Sequence, residues 1–486
     1  DAENITSGFG VATFKTPIAT FDLDDNYFGF DSTGINGVKY YLGDNSGLQH
    51  SYVDTTVKNG FTYYYAVVSY DFGYPQGDIL PTESPIKISL QSDGTVVTGS
   101  NVVKITPEAP TAGYVAPTLG TIDLVEGATT SVVSYRILDE TLVKDQHTYT
   151  ITFEDTLKVG ESGESDTLTT KNFTLTDETA GVVLIDKSTV FGEDDEQPII
   201  DGFQLTFRNE EKVEIDEANS GWNNDGIMDF TFEKLVTPQE SGEQRPNDYI
   251  ISFGEVGIGT SSEITLSNNT FPAQDVNFQI FNVSSGQFIK FGFIDLETAD
   301  GEGLLSASGA RRDRVVFLEE DQSGVEKKTW WFYLSGSAPN EERFPTSGDS
   351  VYLNLKKPFL AADKFSFTTS SGKTDLALAK KDMDNIKVVP NPYVASAKWE
   401  LKNPFNTGRG PRSLHFTNLP QKCTIRVFTI NGELVNTLEH DSNLNNGTYD
   451  WDMLTKDRLA ISYGVYVFHV EAPGIGDKIG KFAVIK

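Results

Sequence analysis

Thr424-Ile-Arg-Val-Phe428, the pair Asn431-Gly432, the return Glu433-Leu-Val-Asn-Thr-Leu438 and the later run Tyr463-Gly-Val-Tyr-Val-Phe-His-Val470 read together as strands of an antiparallel sheet. Ile425 and Val427 alternate with Thr424, Arg426 and Phe428, the two-residue period of a strand with one face buried. Asn431-Gly432 is expected to supply the left-handed conformations of a tight hairpin turn. Tyr466, Phe468 and Val470 repeat the alternation, and Ala483 to Ile485 gives a short last strand. The block opens with Ile386-Lys-Val-Val-Pro390-Asn-Pro-Tyr393. Neither proline can donate to a ladder, which places Pro390 and Pro392 at an edge or entrance. Trp451, between two aspartates, is expected to cap one end of the core. Residues 383–486 are therefore predicted to form one small antiparallel sandwich.

Working outward, the rest of the 486-residue chain shows the same class of signal. At roughly 100–200 residues per domain this length holds three or four domains. Strand patterns recur at Ser131–Ile137, Thr148–Phe153, Gly202–Phe207, Asp248–Phe253, Asn277–Phe281 and Lys328–Tyr333, with almost no helical period. Each alternates apolar with polar residues, as a sheet with one wet face does. One or two sandwiches account for residues 116–212 and 213–382, divided near Asn209 to Asp216; a single large domain with strands interleaved across that point is the alternative. Asp155 to Asp166 and Gly192 to Gln197 read as solvated acidic connections, and Glu108 to Pro117 as a Pro-rich linker. In the first 115 residues, Tyr63, Tyr65 and Val67 are expected to share a core-facing side. Tyr52 to Gly60, Phe61 to Tyr70 and Glu83-Ser-Pro85 in this order resemble half of a fibronectin type III module. The fold class is thus all-β, with tandem β-sandwich domains in an elongated multi-domain chain.

Asp and Glu outnumber Lys and Arg by 70 to 39, a formal charge of −31. Such a surface repels phosphate backbones, which argues against nucleic acid. The lone Cys423 has no partner for a disulfide and sits in a strand pattern, the place of a small buried residue. No run approaches the roughly 20 apolar residues of a membrane span. Asp1-Ala-Glu-Asn-Ile has neither the basic start nor the apolar core of a signal peptide.

Catalytic patterns are thin. Five histidines show no paired metal spacing, and the chain has no GxSxG elbow, P-loop or dinucleotide fingerprint. Carboxylate pairs are too plentiful in so acidic a chain to single out a glycosidase. Asn223, Asp225 and Asp229, around Gly226, resemble a short calcium loop of alternating oxygens, although no glutamate closes it and no helices flank it. Asp22 to Asn26 and Asp295 to Glu302 are looser versions; turn chemistry alone also gathers Asn, Asp and Gly. Trp330-Trp331-Phe-Tyr333 offers one ring outward as a stacking platform for a glycan or a protein. The sequons at Asn4, Asn172, Asn268, Asn282 and Asn446 are expected by chance.

The order of Pro390, Asn391, Pro392, Gly432, Trp451, Gly464, Tyr466, Gly480 and Lys481 at the very terminus resembles the C-terminal sorting domains of type IX secretion cargo. It also resembles the related Ig-like, flagellar-hook-cap-like domains at the ends of bacterial surface proteins. The resemblance implies export across the outer membrane of a Gram-negative-type bacterium, with the secretion machinery as partner and an extracellular or cell-surface location. It also implies that an inner-membrane signal was removed or that a longer chain precedes Asp1. Asp-Thr-Leu at Asp155 and Asp166, and Asp-Ser-Val at Asp349, match the short O-glycosylation motif that the resembling proteins carry. Two functions stay open. One is a non-enzymatic structural or adhesive protein that self-associates, as in a filament, through edge strands. The other is the accessory end of a larger secreted protease or glycosidase.

Overall fold

The computed structural model describes residues 4–6, 12–32, 34, 38–49, 52–91, 95–158, 167–191, 197–266, 268–296, 301–308, 311–321, 324–335, 343–398, 400, 410 and 412–485. The chain is all-β and is built from many sheets. Among the described residues no helix is long and apolar enough to cross a membrane. Much of the acidic stretch 155–166, the loop 192–197 and the loop 295–302 lies outside the described residues.

The first hundred residues have little core. Tyr63–Ala66 pairs with Val102–Ile105, and Ile88–Leu90 with Val96–Thr98, each a two-stranded sheet. The Tyr63 and Tyr65 rings do share a face, 6.2 Å apart, but they are half-buried and Val67 is 81% exposed. Their hydroxyls explain this: Tyr65 donates to Asp54 at 2.7 Å, and Tyr63 accepts from the Lys58 amide at 2.8 Å, so both rings lie under a loop. Of the aliphatic and aromatic side chains before residue 108, only Leu42, Pro81 and Val102 are buried among the described residues.

Two large cores follow, and the first draws its strands from both sides of residue 212. Val182–Ser188, Thr167–Asp177, Thr148–Lys158 and Lys364–Ser370 form one antiparallel sheet. Val132–Ile137 pairs with Phe203–Arg208. Between them Phe153, Phe173, Phe207, Phe359 and Phe365 interlock, Phe153 stacking on Phe359 at 4.3 Å. Residues 359–370 thus return to the core begun at Leu119. The second core lies between the sheet containing Tyr249–Phe253, Phe278–Asn282 and Ser350–Leu353 and the sheet of Phe230–Lys234, Glu326–Leu334, Arg314–Glu320 and Lys290–Ile294. Its buried Glu319 accepts from Tyr249, Thr329, Asn247 and Asn282, so a side chain with no ion pair among the described residues is satisfied by four neutral donors. Asn282, 2% exposed, and the buried Asn172 are sequons that the folded chain closes to a glycan.

Two expectations about the connections change. A helix, Leu376–Asp382, lies where no helical period was read; Asp375 caps it by accepting from the Leu378 amide, and Leu-Ala-Leu-Ala-Lys-Lys are strong helix formers. The Pro-rich segment 108–117 is not a free linker. Thr111 and Ala112 are buried, their amides donating to the carbonyls of Leu444 and Leu419 at 2.9 Å each. Gly113 fits against the helix where any Cβ would lie 2.5 Å from that of Ala379. Tyr114–Val115 pairs with Lys373–Thr374. The segment is therefore wedged between the helix and the last domain.

That last domain has two sheets. Lys387–Val389, Leu414–Thr417 and Tyr449–Trp451 form one. Gly476–Ile485, Gly464–Ala472, Lys422–Thr429 and Leu434–Asp441 form the other, with Tyr393–Val394 added in parallel to Gly476–Ile485. Ile425 and Val427 are fully buried, as their alternation predicts. The hairpin is wider than a two-residue turn: Gly432 N donates to Thr429 O and Thr429 N to Glu433 O. Only Gly432 of the pair takes positive φ, at 86°. The turn is a four-residue type I-like bend closed by a left-handed glycine.

Candidate functional site

Asn391, Trp451, Tyr466, Gly480 and Lys481, of the residues singled out near the C-terminus, meet at the strand Gly476–Ile485. Asn391, between two prolines that cannot donate, gives its Nδ2–H to the Lys481 carbonyl at 3.2 Å and accepts from the Ala483 amide at 3.1 Å. A carbonyl and an amide two residues apart are the partners a parallel strand residue uses, so the Asn391 carboxamide stands in for backbone that proline cannot supply. Real pairing continues at once, Tyr393 opposite Val484 and Val394 opposite Ile485. Tyr393 is buried, and its hydroxyl bonds the Glu400 carboxylate at 2.8 Å. Glu400 also accepts from the amides of Ala397 and Ser413.

Phe482 is the hub beneath this clamp. Tyr466 stacks on it at 5.4 Å, and Trp451 meets it edge-on at 6.2 Å. Trp451 is 1% exposed and part of the core, with Nε1 donating to Leu454 O. Tyr466 donates to Ser462 O at 2.7 Å. At Gly480 an added Cβ would fall 2.2 Å from Cζ of buried Phe468, so only glycine lets that ring lie flat on the last strand. Gly432 lies in the hairpin turn away from this hub, whereas Gly464 opens its strand opposite Val484 of the last one; a Cβ at either would meet open space. Outside the hub, Val394, Val465, Ile479 and Ile485 are exposed apolar residues around exposed Lys481.

One constellation escaped the sequence. Ser413 Oγ lies 2.7 Å from His415 Nε2, and His415 Nδ1 lies 3.2 Å from Asp450 Oδ1. Ser413 immediately precedes the strand Leu414–Thr417, two residues before His415, and Asp450 stands opposite His415 on the neighbouring strand. The three residue types match a charge-relay set, which no linear motif reveals because the pairing is cross-strand. The surroundings favour a structural part. His415 is buried beneath Gly60, where an added Cβ would be 3.2 Å from its Nδ1, and Asp450 is exposed. Burial pushes the imidazole below the ordinary histidine range against the pull of Asp450 and Glu400. A Ser–His contact of the same i, i+2 spacing recurs at Ser442 and His440, 3.1 Å apart.

No family model matches the chain, and no curated protein does. Among solved structures, PorZ of Porphyromonas gingivalis, described as an essential bacterial surface component of its type-IX secretion system, aligns over 84% of this chain and 63% of its own. Identity there is 12% and the TM-score 0.19. Dimeric latent PorU from the same species aligns over 77% of this chain and 34% of its own, at 13% identity and a TM-score of 0.15. The chain spans less than two thirds of either protein. Neither likeness amounts to a shared fold.

Of the residues proposed for calcium, Asn223 is committed to strand pairing: its Oδ1 accepts from Ser350 N at 2.8 Å and its Nδ2 donates to Gly348 O at 3.1 Å. Asp225 and Asp229 are exposed. Among the described residues no group of three or more His, Cys, Asp or Glu side chains is placed to hold a metal. The Asp22 carboxylate, in the looser first loop, accepts from the amides of Asn45 and Ser46 and the Ser46 hydroxyl. Cys423 is buried in its strand, and burial pushes its thiol up to about 12.

Proposed function

We propose that this chain is a non-enzymatic, exported cell-surface protein whose last domain is the element recognised by a type IX-like outer-membrane secretion machinery. The observation that carries the reading is the convergence of Asn391, Trp451, Tyr466, Gly480 and Lys481 on one strand, Gly476–Ile485. A receptor that reads a folded terminus needs a rigid surface, because ordering a loose one costs affinity. The Asn391 clamp and the Phe482 hub supply that rigidity, and the exposed Val394, Val465, Ile479 and Ile485 supply apolar contact area. The wedged segment 108–117 further ties the domain to the body of the protein. The domain therefore stays as a structural module after export.

Surface proteolysis of intact bacteria producing the tagged full chain tests this reading. Accessible protein in a type IX-competent strain, and its loss when that machinery is disabled, is the expected result. Equal surface exposure in both strains would sink it.

A further inference from the structure

The outer face of the sheet Phe230–Lys234, Glu326–Leu334, Arg314–Glu320, Lys290–Ile294 carries a cluster unrelated to the terminal domain. Trp330 and Phe332 point into the core, which turns Trp331 and Tyr333 outward, both half-buried. One oxygen of Glu233, on the neighbouring strand, accepts from Trp331 Nε1 at 3.0 Å and from the Tyr333 hydroxyl at 3.2 Å. That shared acceptor fixes the two rings at 90°, 6.2 Å apart. The Arg314 guanidinium lies 4.8 Å from the Trp331 ring centre and 5.8 Å from that of Tyr333, and Arg312 lies 5.8 Å over Tyr333. The hairpin Ile264–Leu266 with Asn269–Phe271 covers Ile294, Val316 and Leu318 on this face, and its cover ends at Trp331.

The charge pattern is what singles the cluster out. In a chain with a net charge of −31, lysines on the same sheet have carboxylate partners, Lys290 with Glu326 at 3.0 Å and Lys328 with Glu240 at 2.6 Å. Arg312 and Arg314 have no ion pair among the described residues, and the buried Nε–H of Arg314 has no acceptor. Two like charges side by side are held by ring faces instead of by carboxylates. Stacking leaves the guanidinium N–H edges directed sideways, the geometry that grips a planar carboxylate through paired hydrogen bonds.

We propose that this face binds the carboxylate-bearing sugar of an acidic glycan, Arg312 and Arg314 taking the carboxylate while the apolar C–H face of the pyranose lies against Trp331 and Tyr333. A neutral sugar has no use for two unpaired guanidiniums, and a bare inorganic anion has no use for the rings. A densely charged polymer is repelled by the surplus carboxylates over the screening length of about 8 Å at physiological salt. The ligand is thus a sparsely charged glycan, and the site is independent of the export reading.

The test uses the full chain at 0.15 M salt and neutral pH, with tryptophan fluorescence and calorimetry. The probes are cellobiouronic acid, neutral cellobiose and sodium acetate. Saturable binding of the acidic disaccharide, at least tenfold tighter than cellobiose or acetate, is expected. Arg312→Gln and Arg314→Gln should each weaken it at least fivefold with the melting temperature retained, and Tyr333→Ala should weaken both disaccharides. Should Arg314→Gln fail to fold, the half-exposed Arg312 carries the test. Absence of saturable binding, equal affinity for the acidic and neutral disaccharides, acetate binding as tightly as the sugar acid, or folded arginine variants that bind normally would each overturn the site.

Discussion

Asn391→Ala removes the clamp on the last strand without touching a backbone atom. Two hydrogen bonds are lost, to the Lys481 carbonyl and from the Ala483 amide, and both are at the surface. At roughly 0.5–1.5 kcal/mol each, the strand's local opening becomes easier by about 1–2 kcal/mol. Each 1.4 kcal/mol is about a factor of ten in an equilibrium constant, so hydrogen exchange in Tyr393–Val394 and Gly476–Ile485 should accelerate by about 5- to 30-fold. Asn391→Asp keeps the acceptor for Ala483 and loses the donor to Lys481, and is expected to fall between. Native-state exchange read by mass spectrometry on full-length protein resolves these peptides from the two central cores, whose rates should not move. Unchanged exchange in the alanine variant would refute the argument that the side-chain amide substitutes for strand pairing.

Other expectations follow from the same geometry. Burial holds His415 and His440 below the ordinary histidine value of 6.5 in the folded chain. The unfolded state thus takes up protons first as pH falls, and the stability these residues contribute is full above about 6.5 and declines through the range below. The fall in melting midpoint between pH 7 and 5 should shrink in a His415→Gln, His440→Gln double variant; an equal fall would exclude these residues. With its thiol at about 12, Cys423 should alkylate at pH 8 about a thousandfold more slowly in the native protein than in urea, and fast native labelling would mean an open terminal domain. Because Asn223 is engaged with Ser350 and Gly348, millimolar calcium and excess chelator should leave the melting midpoint within about 1 °C of each other, and a rise of several degrees with calcium would assign the Asn223–Asp229 loop as a calcium site. A fluorophosphonate probe should leave Ser413 unlabelled in folded protein, where Gly60 covers His415; stoichiometric labelling would make the Ser413–His415–Asp450 set a hydrolase centre.

The sequence was legible wherever period-two alternation met a buried face. Ile425, Val427, Tyr249, Ile251 and Phe253 are buried at the positions their alternation assigns. Alternation says which side chains share a face but not what covers it, and so it failed at Val67, where the strand stops at Ala66 and no second sheet lies opposite among the described residues. The helix Leu376–Asp382 was too short to show a period and was announced only by its cap at Asp375. Segment 108–117 looked like a linker because prolines bar regular structure, yet Thr111 and Ala112 find their acceptors on loops more than 300 residues away. The terminal residues were recognisable as a set, but the role of Asn391 was not, since its partners Lys481 and Ala483 are visible only once the last strand is placed. Glu400, which anchors Tyr393, carried no sequence signal at all.

If the domain organised by Gly476–Ile485 directs export, removing that strand abolishes surface display. The most direct measurement is the surface-exposed fraction of the full chain, delivered to the periplasm of a type IX-competent bacterium, compared with the same chain ending at Ile475. The intact chain is expected to reach the surface and the shortened one to accumulate, still folded in its central cores, in the periplasm. Equal surface display of both would contradict it.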